Sequence, residues 1–290
     1  MSSDILMNPK ILIFGAYGFL GSYLCDYLKD TYKIYKIGRN PNSQIQVKRF
    51  NQRDIQKIIK LIKPNIIINL IAETNVDLCE KKKKHCMKVN FEIVKKIVNS
   101  VIKLKYNIFF LQISSDQVYS GKGPHDEKKI KPLNQYSLSK KYSEKWSSKI
   151  NSCILRTNFF GFSKDKNKVT FTDWIYRSLK KKKKINAYKN IFFSPLYVKT
   201  LCKYLNFILK QKITGIYNLG SKDYISKAEY IHFIAKKYKF DIKLINTINY
   251  EQKNLAIRPL DMRMNSMKIS KKLKLKLPMV KNEITKMLKK

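Results

Sequence analysis

Three residue types at one spacing could carry chemistry. The stretch ISSDQVYSGKGPHDEKKIKPLNQYSLSK, from Ile113 to Lys140, holds Ser115 and then Tyr136 and Lys140, four residues apart. On a helix that spacing puts the phenol and the ammonium on one face. A tyrosine with an ordinary pKa near ~10 is a poor acid or base at neutral pH. A neighbouring ammonium favours the phenolate and moves the group toward the working range. The hydroxyl of Ser115 could hold a substrate oxygen against the same phenol. Such a set interconverts a carbonyl and an alcohol, provided that something supplies a hydride. Alone it reads equally well as an ordinary helix with a Tyr and a Lys, so the surrounding elements decide.

The first of those elements is a place for a hydride donor. KILIF (10–14) is a short apolar strand followed at once by GAYGFLG, with Gly15, Gly18 and Gly21 in a G-x-x-G-x-x-G turn. Beyond it Phe19, Leu20, Tyr23, Leu24, Tyr27 and Leu28 recur at helical spacing. Strand, glycine turn and helix make the setting in which a pyrophosphate reaches backbone amides at a helix N-terminus. Gly15, Tyr17, Gly18, Phe19, Leu20 and Gly21 are therefore the first cofactor-binding candidates. The second strand, Tyr32–Ile37, ends in Gly38-Arg39-Asn40, with no carboxylate for a ribose 2′-hydroxyl. Arg39 could pair with a 2′-phosphate instead, which favours NADP(H), with NAD(H) still open. A surface arginine in a βα loop is the competing reading.

Ile45–Phe50 reads as a third strand, Asp54–Lys63 as a helix stopped by Pro64, and Ile66–Leu70 as a buried fourth strand. Continuous apolar strands between helices predict a parallel sheet covered on both faces, an α/β doubly wound fold of Rossmann type. The loop from Asn69 to Asp77 then lies at the carboxyl edge, where cofactor and substrate meet in such sheets. A helix from about Cys86 to Leu104 follows; its Asn90 is either surface polarity or a brace for the site. Ile108–Ile113 is a fifth strand that delivers Ser114 and Ser115 to the same edge. After a loop with Gly121, Gly123 and Pro124 comes the helix of Tyr136 and Lys140. Glycine turn, serine and Tyr–Lys pair thus converge on one sheet edge.

Composition sets the outer bounds. The chain has 290 residues, 44% of them hydrophobic, enough for one large domain or two smaller ones. No apolar run approaches the ~20 residues of a membrane span, and the N-terminus does not read as a signal peptide. Five cysteines, odd in number and without a CxxC, fit reduced thiols in the cytoplasm. Three scattered histidines have no metal-ligand spacing, so no metal is expected. The net charge of +41 comes from 54 lysines against seven arginines, alongside abundant Ile and Asn. That bias fits an AT-rich coding sequence better than a nucleic-acid or membrane partner. The runs at Lys81–Lys84 and Lys180–Lys184 lack interleaved aromatics and read as solvated faces.

The order of eight blocks resembles the dTDP-4-dehydrorhamnose reductases and their sugar-nucleotide relatives, in the extended short-chain dehydrogenase/reductase superfamily. They are GAYGFLG (15–21), KPNIIINLIAETNVDLCE (63–80), SSDQVYSGKGPHDE (114–127), PLNQYSLSKKYSE (132–144), LRTNFFG (155–161), FFSPLYV (192–198), GIYNLGS (215–221) and AIRPLDMRMNSMKI (256–269). The resemblance implies that Ser115 hydrogen-bonds the substrate carbonyl, Tyr136 donates the proton, and Lys140 lowers its pKa and holds the nicotinamide ribose. It places Leu70, Ile71, Ala72 and Ser114 by the cofactor. Thr74, Val76, Asp116, Asn158 and Phe159 fall toward the sugar, though for Phe159 and Phe160 a core role is an equal alternative. Arg258, in an Arg-Pro block, matches a residue beside the nucleotide sugar where a guanidinium could clamp a diphosphate, with a structural arginine as the alternative.

One departure discriminates within the superfamily. Nucleotide-sugar 4,6-dehydratases carry Thr-Asp-Glu where this chain has Ser115-Asp116-Gln117, and a glutamine cannot take up the proton that elimination requires. This favours reduction. The usual aspartate near the adenine is missing, Asn51 being the nearest candidate. The expectation is an NADP(H)-dependent reductase of a nucleotide-diphosphate 4-keto sugar, with residues 1–160 forming the cofactor domain, helped by segments from about 190–220. An interleaved substrate domain spans 161–290, closing in a basic surface helix at 281–290. Its partner is the nucleotide sugar, with a possible homodimer. The alternatives are an epimerase or dehydratase on a similar sugar, and a non-catalytic nucleotide-binding regulatory subunit.

Overall fold

Short strands buried on both faces build the centre of the molecule. A computed structural model describes residues 8–252 and 255–289; the leader-free reading of residues 1–7 and the end of the last helix at Lys290 fall outside them. β1 (Lys10–Phe14), β2 (Lys33–Gly38), β3 (Ile45–Gln46), β4 (Ile66–Asn69), β5 (Phe109–Ile113) and β6 (Ser152–Thr157) join a further strand, Gly215–Leu219, in one sheet. Its order is β3-β2-β1-β4-β5-β6 and then Gly215–Leu219, with every pairing parallel. Successive side chains point to opposite faces. Ile11, Ile13, Ile66, Ile68, Phe109 and Leu111 pack on one side, with the helices Phe19–Leu28 (α1) and Val198–Gln211. Leu12, Phe14, Ile67 and Phe110 pack on the other, with Gln52–Ile62 (α2) and Ile93–Leu104. This is a Rossmann-type α/β fold.

Several elements differ from the sequence expectation, each for a local reason. The third strand is two residues long: beyond Gln46 the side chains of Lys48 and Arg49 are exposed, and among the described residues the strand ladder does not continue. Helix begins earlier than Cys86. Val76–Lys81 (α3) is capped by the Asn75 side chain, Lys83–Met87 (α4) follows, and a π-helical turn over Lys88–Glu92 leads into Ile93–Leu104 (α5). Asn51 caps α2 by accepting from Asp54 N–H at 2.8 Å. The final helix, Val280–Leu288, is not a purely basic surface element: Val280, Ile284 and Met287 are buried on one face. The runs at Lys81–Lys84 and Lys180–Lys184 are exposed. All five cysteines are free and buried. No helix among the described residues is long and apolar enough to cross a membrane, and no cluster of His, Cys, Asp or Glu there could hold a metal.

Candidate active site

The register brings the functional ends together. Phe14 pairs with Asn69, Asn69 with Gln112 and Ile113 with Leu155, so the residues following β1, β4, β5 and β6 emerge at one edge. Gly15 takes φ +82°, a left-handed conformation that suits glycine, and its α-carbon faces the backbone of Leu70 and Ile71. A Cβ on Gly21 would stand 2.3 Å from the Gly15 carbonyl oxygen, so only glycine lets α1 approach the turn. Gly18 is the N-cap of α1 and no side chain caps that terminus. Ten helical residues therefore present first-turn amides and the positive dipole end at the sheet edge.

The helix of the tyrosine, Gln135–Ser147 (α6), is fixed by Asn134, which accepts from Ser137 N–H at 2.9 Å in a reciprocal capping box. Glu80 of α3 accepts from Gln135 N–H at 2.9 Å, placing a carboxylate at the positive end of α6. Tyr136 is buried with Val76, Cys79, Cys86 and Ala256, and its phenol lies near enough to the Ser115 hydroxyl for that group to favour its charged form. Ser115 also accepts from Gln117 N–H at 3.1 Å and donates to Asp116 at 3.2 Å. Lys140 lies one turn on, its ammonium 5.8 Å from the Tyr136 ring centroid and donating to the Ile113 carbonyl at 3.2 Å.

The electrostatics correct one expectation. Burial raises the Tyr136 phenol above its ordinary value, and the nearby Asp116 adds to the rise; the Ser115 hydroxyl opposes it. Burial pulls Lys140 itself down to about 8, against the pull of Glu144. In the packed site desolvation outweighs the ammonium, and the tyrosine is held as a phenol. A phenol is a proton donor, which is the form that reduction uses.

One support was left open by the sequence and a second went unread. Asn90, either surface polarity or a brace, is 1% exposed. It accepts from Glu73 N–H at 2.7 Å and donates to the Glu73 carbonyl at 3.1 Å and to Ser139 at 3.0 Å. Its carbonyl sits in the π turn and accepts from Ser143 at 2.6 Å. Asn90 therefore ties the loop after β4 to α6, and the signal in the sequence was only a polar residue in an apolar helix. Asn90→Ala should lower stability by about 1–3 kcal/mol through unpaired buried groups at Glu73 and Ser139; a thermal melt unchanged from wild type would contradict this role.

The second support is Glu144, one more turn along the face of Tyr136 and Lys140. It accepts from Ser114 at 2.5 Å and from Arg156 Nε and Nη2 at 3.0 and 2.7 Å. Arg156 also donates to Tyr119 at 2.8 Å and to the Glu127 carbonyl at 3.0 Å. The pair clamps β5, α6 and β6 behind the catalytic face. Ser114, expected at the cofactor, is thus held from below.

The substrate candidates divide. Asn158 donates to Asp116 at 2.5 Å, and burial raises the Asp116 carboxyl to about 6. Phe159 stacks on Phe19 at 5.7 Å, joining the loop after β6 to the glycine turn. Val76 is buried against Tyr136, Thr74 is exposed, and Leu70, Ile71 and Ala72 are half-buried along the loop. Arg258 pairs with Asp77 and lines a cavity of ≈ 340 Å³ that also includes Gln117 and Asn158. At the far side, Arg39 is exposed and Tyr17 accepts from Gln44 N–H at 2.7 Å.

A seven-stranded parallel sheet, a glycine turn on its first strand and a Ser–Tyr–Lys set at the same edge define an oxidoreductase of the extended short-chain dehydrogenase/reductase class. Within that class the chain belongs to the RmlD substrate binding domain family, whose profile matches residues 9–290. It is 27% identical over 267 residues to the dTDP-4-dehydrorhamnose reductase of Aggregatibacter actinomycetemcomitans, covering 86% of this chain and 88% of that one. It is 24% identical over 257 residues to the spore coat polysaccharide biosynthesis protein SpsK of Bacillus subtilis (strain 168), covering 86% and 87%. Its fold is similar to the crystal structure of dTDP-4-dehydrorhamnose reductase from Bacillus anthracis in complex with NADP, with a TM-score of 0.85, 23% identity and coverage of 97% and 99%.

Proposed function

We propose that the protein is an NADP(H)-dependent reductase of a nucleotide-diphosphate 4-keto sugar, dTDP-4-dehydrorhamnose or a close analogue, acting in the synthesis of a cell-surface polysaccharide sugar in the cytoplasm. The observation that carries this is the buried Tyr136 phenol near Ser115, with Gln117, two residues after that serine, lining a cavity where an elimination base would stand. The relatives named for this reduction support it. The cofactor site fits NADP(H). The uncapped N-terminus of α1 would hold the pyrophosphate. Arg39 and Ser43, whose hydroxyl is buried without a partner among the described residues, would hold a 2′-phosphate. Bound there, NADPH supplies the hydride.

The chain's own residues do the rest. Ser115 holds the keto oxygen against Tyr136, whose proton passes to that oxygen as negative charge develops. Lys140 keeps its positive charge beside the phenolate that remains, so the cost of ionising a buried tyrosine is met locally. Residues 1–160, with strand Gly215–Leu219, serve as the cofactor half, and 161–290 as the interleaved substrate half.

The test is NADPH oxidation against a panel of dTDP-, UDP- and GDP-linked 4-keto sugars, with one NADPH consumed per alcohol formed. Turnover without net oxidation would show an epimerase or dehydratase instead. In the same assay Arg39→Ala should raise KM for NADPH about tenfold and leave that for NADH unchanged, the loss of one charge-assisted contact. An equal effect on both would remove the 2′-phosphate assignment.

A further inference from the structure

The cavity next to the site holds polar atoms that the protein leaves unused. Lys227, the first residue of the helix Lys227–Lys237, lines it. Its ammonium lies over two rings, 3.5 Å from the Phe193 centroid and 4.5 Å from that of Phe171. The Asp116 charge is close enough to support it, yet among the described residues the ammonium donates no hydrogen bond. Gln117 Oε1 and Arg258 Nε, which belong to the same cavity walls, are buried and also lack partners. The backbone amides of that helix are not the attraction, since Ser226 and Glu229 already cap them reciprocally.

Two cations lining one cavity of ≈ 340 Å³, with Arg258 Nε buried there without a partner, suit an anion that reaches both. Arg258 stands beside Asp77 at the outer rim, and Lys227 stands beside Asp116, which touches Ser115. We propose that Lys227 binds the sugar-side phosphate of the nucleoside diphosphate, with Arg258 on the nucleoside side and Gln117 accepting from a sugar hydroxyl. The cation–π contacts then hold the ammonium in place, and the donor side turned away from the rings serves the ligand. This deepens the reductase reading and rests on it for the substrate class, but binding can be measured without turnover.

The experiment is calorimetric titration of wild type and Lys227→Met with dTDP-, UDP- and GDP-glucose, the matching nucleoside monophosphates, and NADPH. For whichever base the wild type accepts, the variant should lose ten- to a hundredfold in affinity for the diphosphate sugar, as expected for one hydrogen bond to a charged group. Affinity for the monophosphate and for NADPH should change less than about twofold. Equal losses for all three ligands, or no loss for the sugar, would overturn the assignment, as would a wild type that binds none of the three sugars. Should the variant not fold, acetylation footprinting of the wild type decides: the diphosphate sugar should slow modification of Lys227 and the monophosphate should not. Equal protection by both would reject it. Normal binding with no reduction of any keto sugar would instead sink the reductase reading and leave Lys227 in place.

Discussion

Tyr136→Phe should lower kcat by about 10²–10⁴-fold, the usual worth of a positioned proton donor, while NADPH affinity stays within about twofold. The substitution removes one oxygen and keeps the ring that packs on Val76, Cys79, Cys86 and Ala256, so the fold should be unaffected. The neighbouring Ser115 retains Gln117 N–H and Asp116 as its partners. Stopped-flow binding and steady-state turnover on the same preparation separate the two effects. Retained turnover would remove Tyr136 as the donor. A parallel loss of cofactor affinity would make its role positional.

Arg156→Ala should destabilise the protein by about 3–5 kcal/mol, the cost of leaving a buried carboxylate without its cation. Arg156 and Glu144 have 2% and 4% of their side chains exposed, and together they hold Ser114, Tyr119 and the Glu127 carbonyl. Exposed pairs such as Lys168–Asp165 should contribute far less, because solvent screens them. Replacing both partners by apolar residues, Arg156→Met with Glu144→Leu, should recover much of the loss, because the uncompensated charge is then gone. Urea unfolding midpoints at constant m-value give the comparison. A single-variant loss below about 1 kcal/mol would mean that the pair is not the clamp.

Local pattern explains what could be read from the residues alone. β1, β4 and β5 are short apolar runs closed by turn residues, and the glycine turn lies between strand and helix, so periodicity and spacing were enough. The Tyr136–Lys140 interval works for the same reason, and Glu144 was within reach as the next turn of the same face. Strand Gly215–Leu219 is different, since its place beside β6 depends on partners about sixty residues earlier. The π turn at Lys88–Glu92 leaves no mark in composition, which is why Asn90 stayed ambiguous. Lysine abundance hid the apolar face of the last helix. The largest surprise was electrostatic: spacing shows that Lys140 is near Tyr136, but only packing shows that burial dominates the phenol.

The central claim is that hydride and proton add across a sugar carbonyl held by Ser115 and Tyr136. Incubation with NADPH deuterated at the transferring C4 position, followed by mass and NMR analysis of the sugar, tests it most directly. The expected product carries one deuterium on the former carbonyl carbon for each NADPH oxidised. A product without deuterium, formed while NADPH is not consumed, would contradict the account.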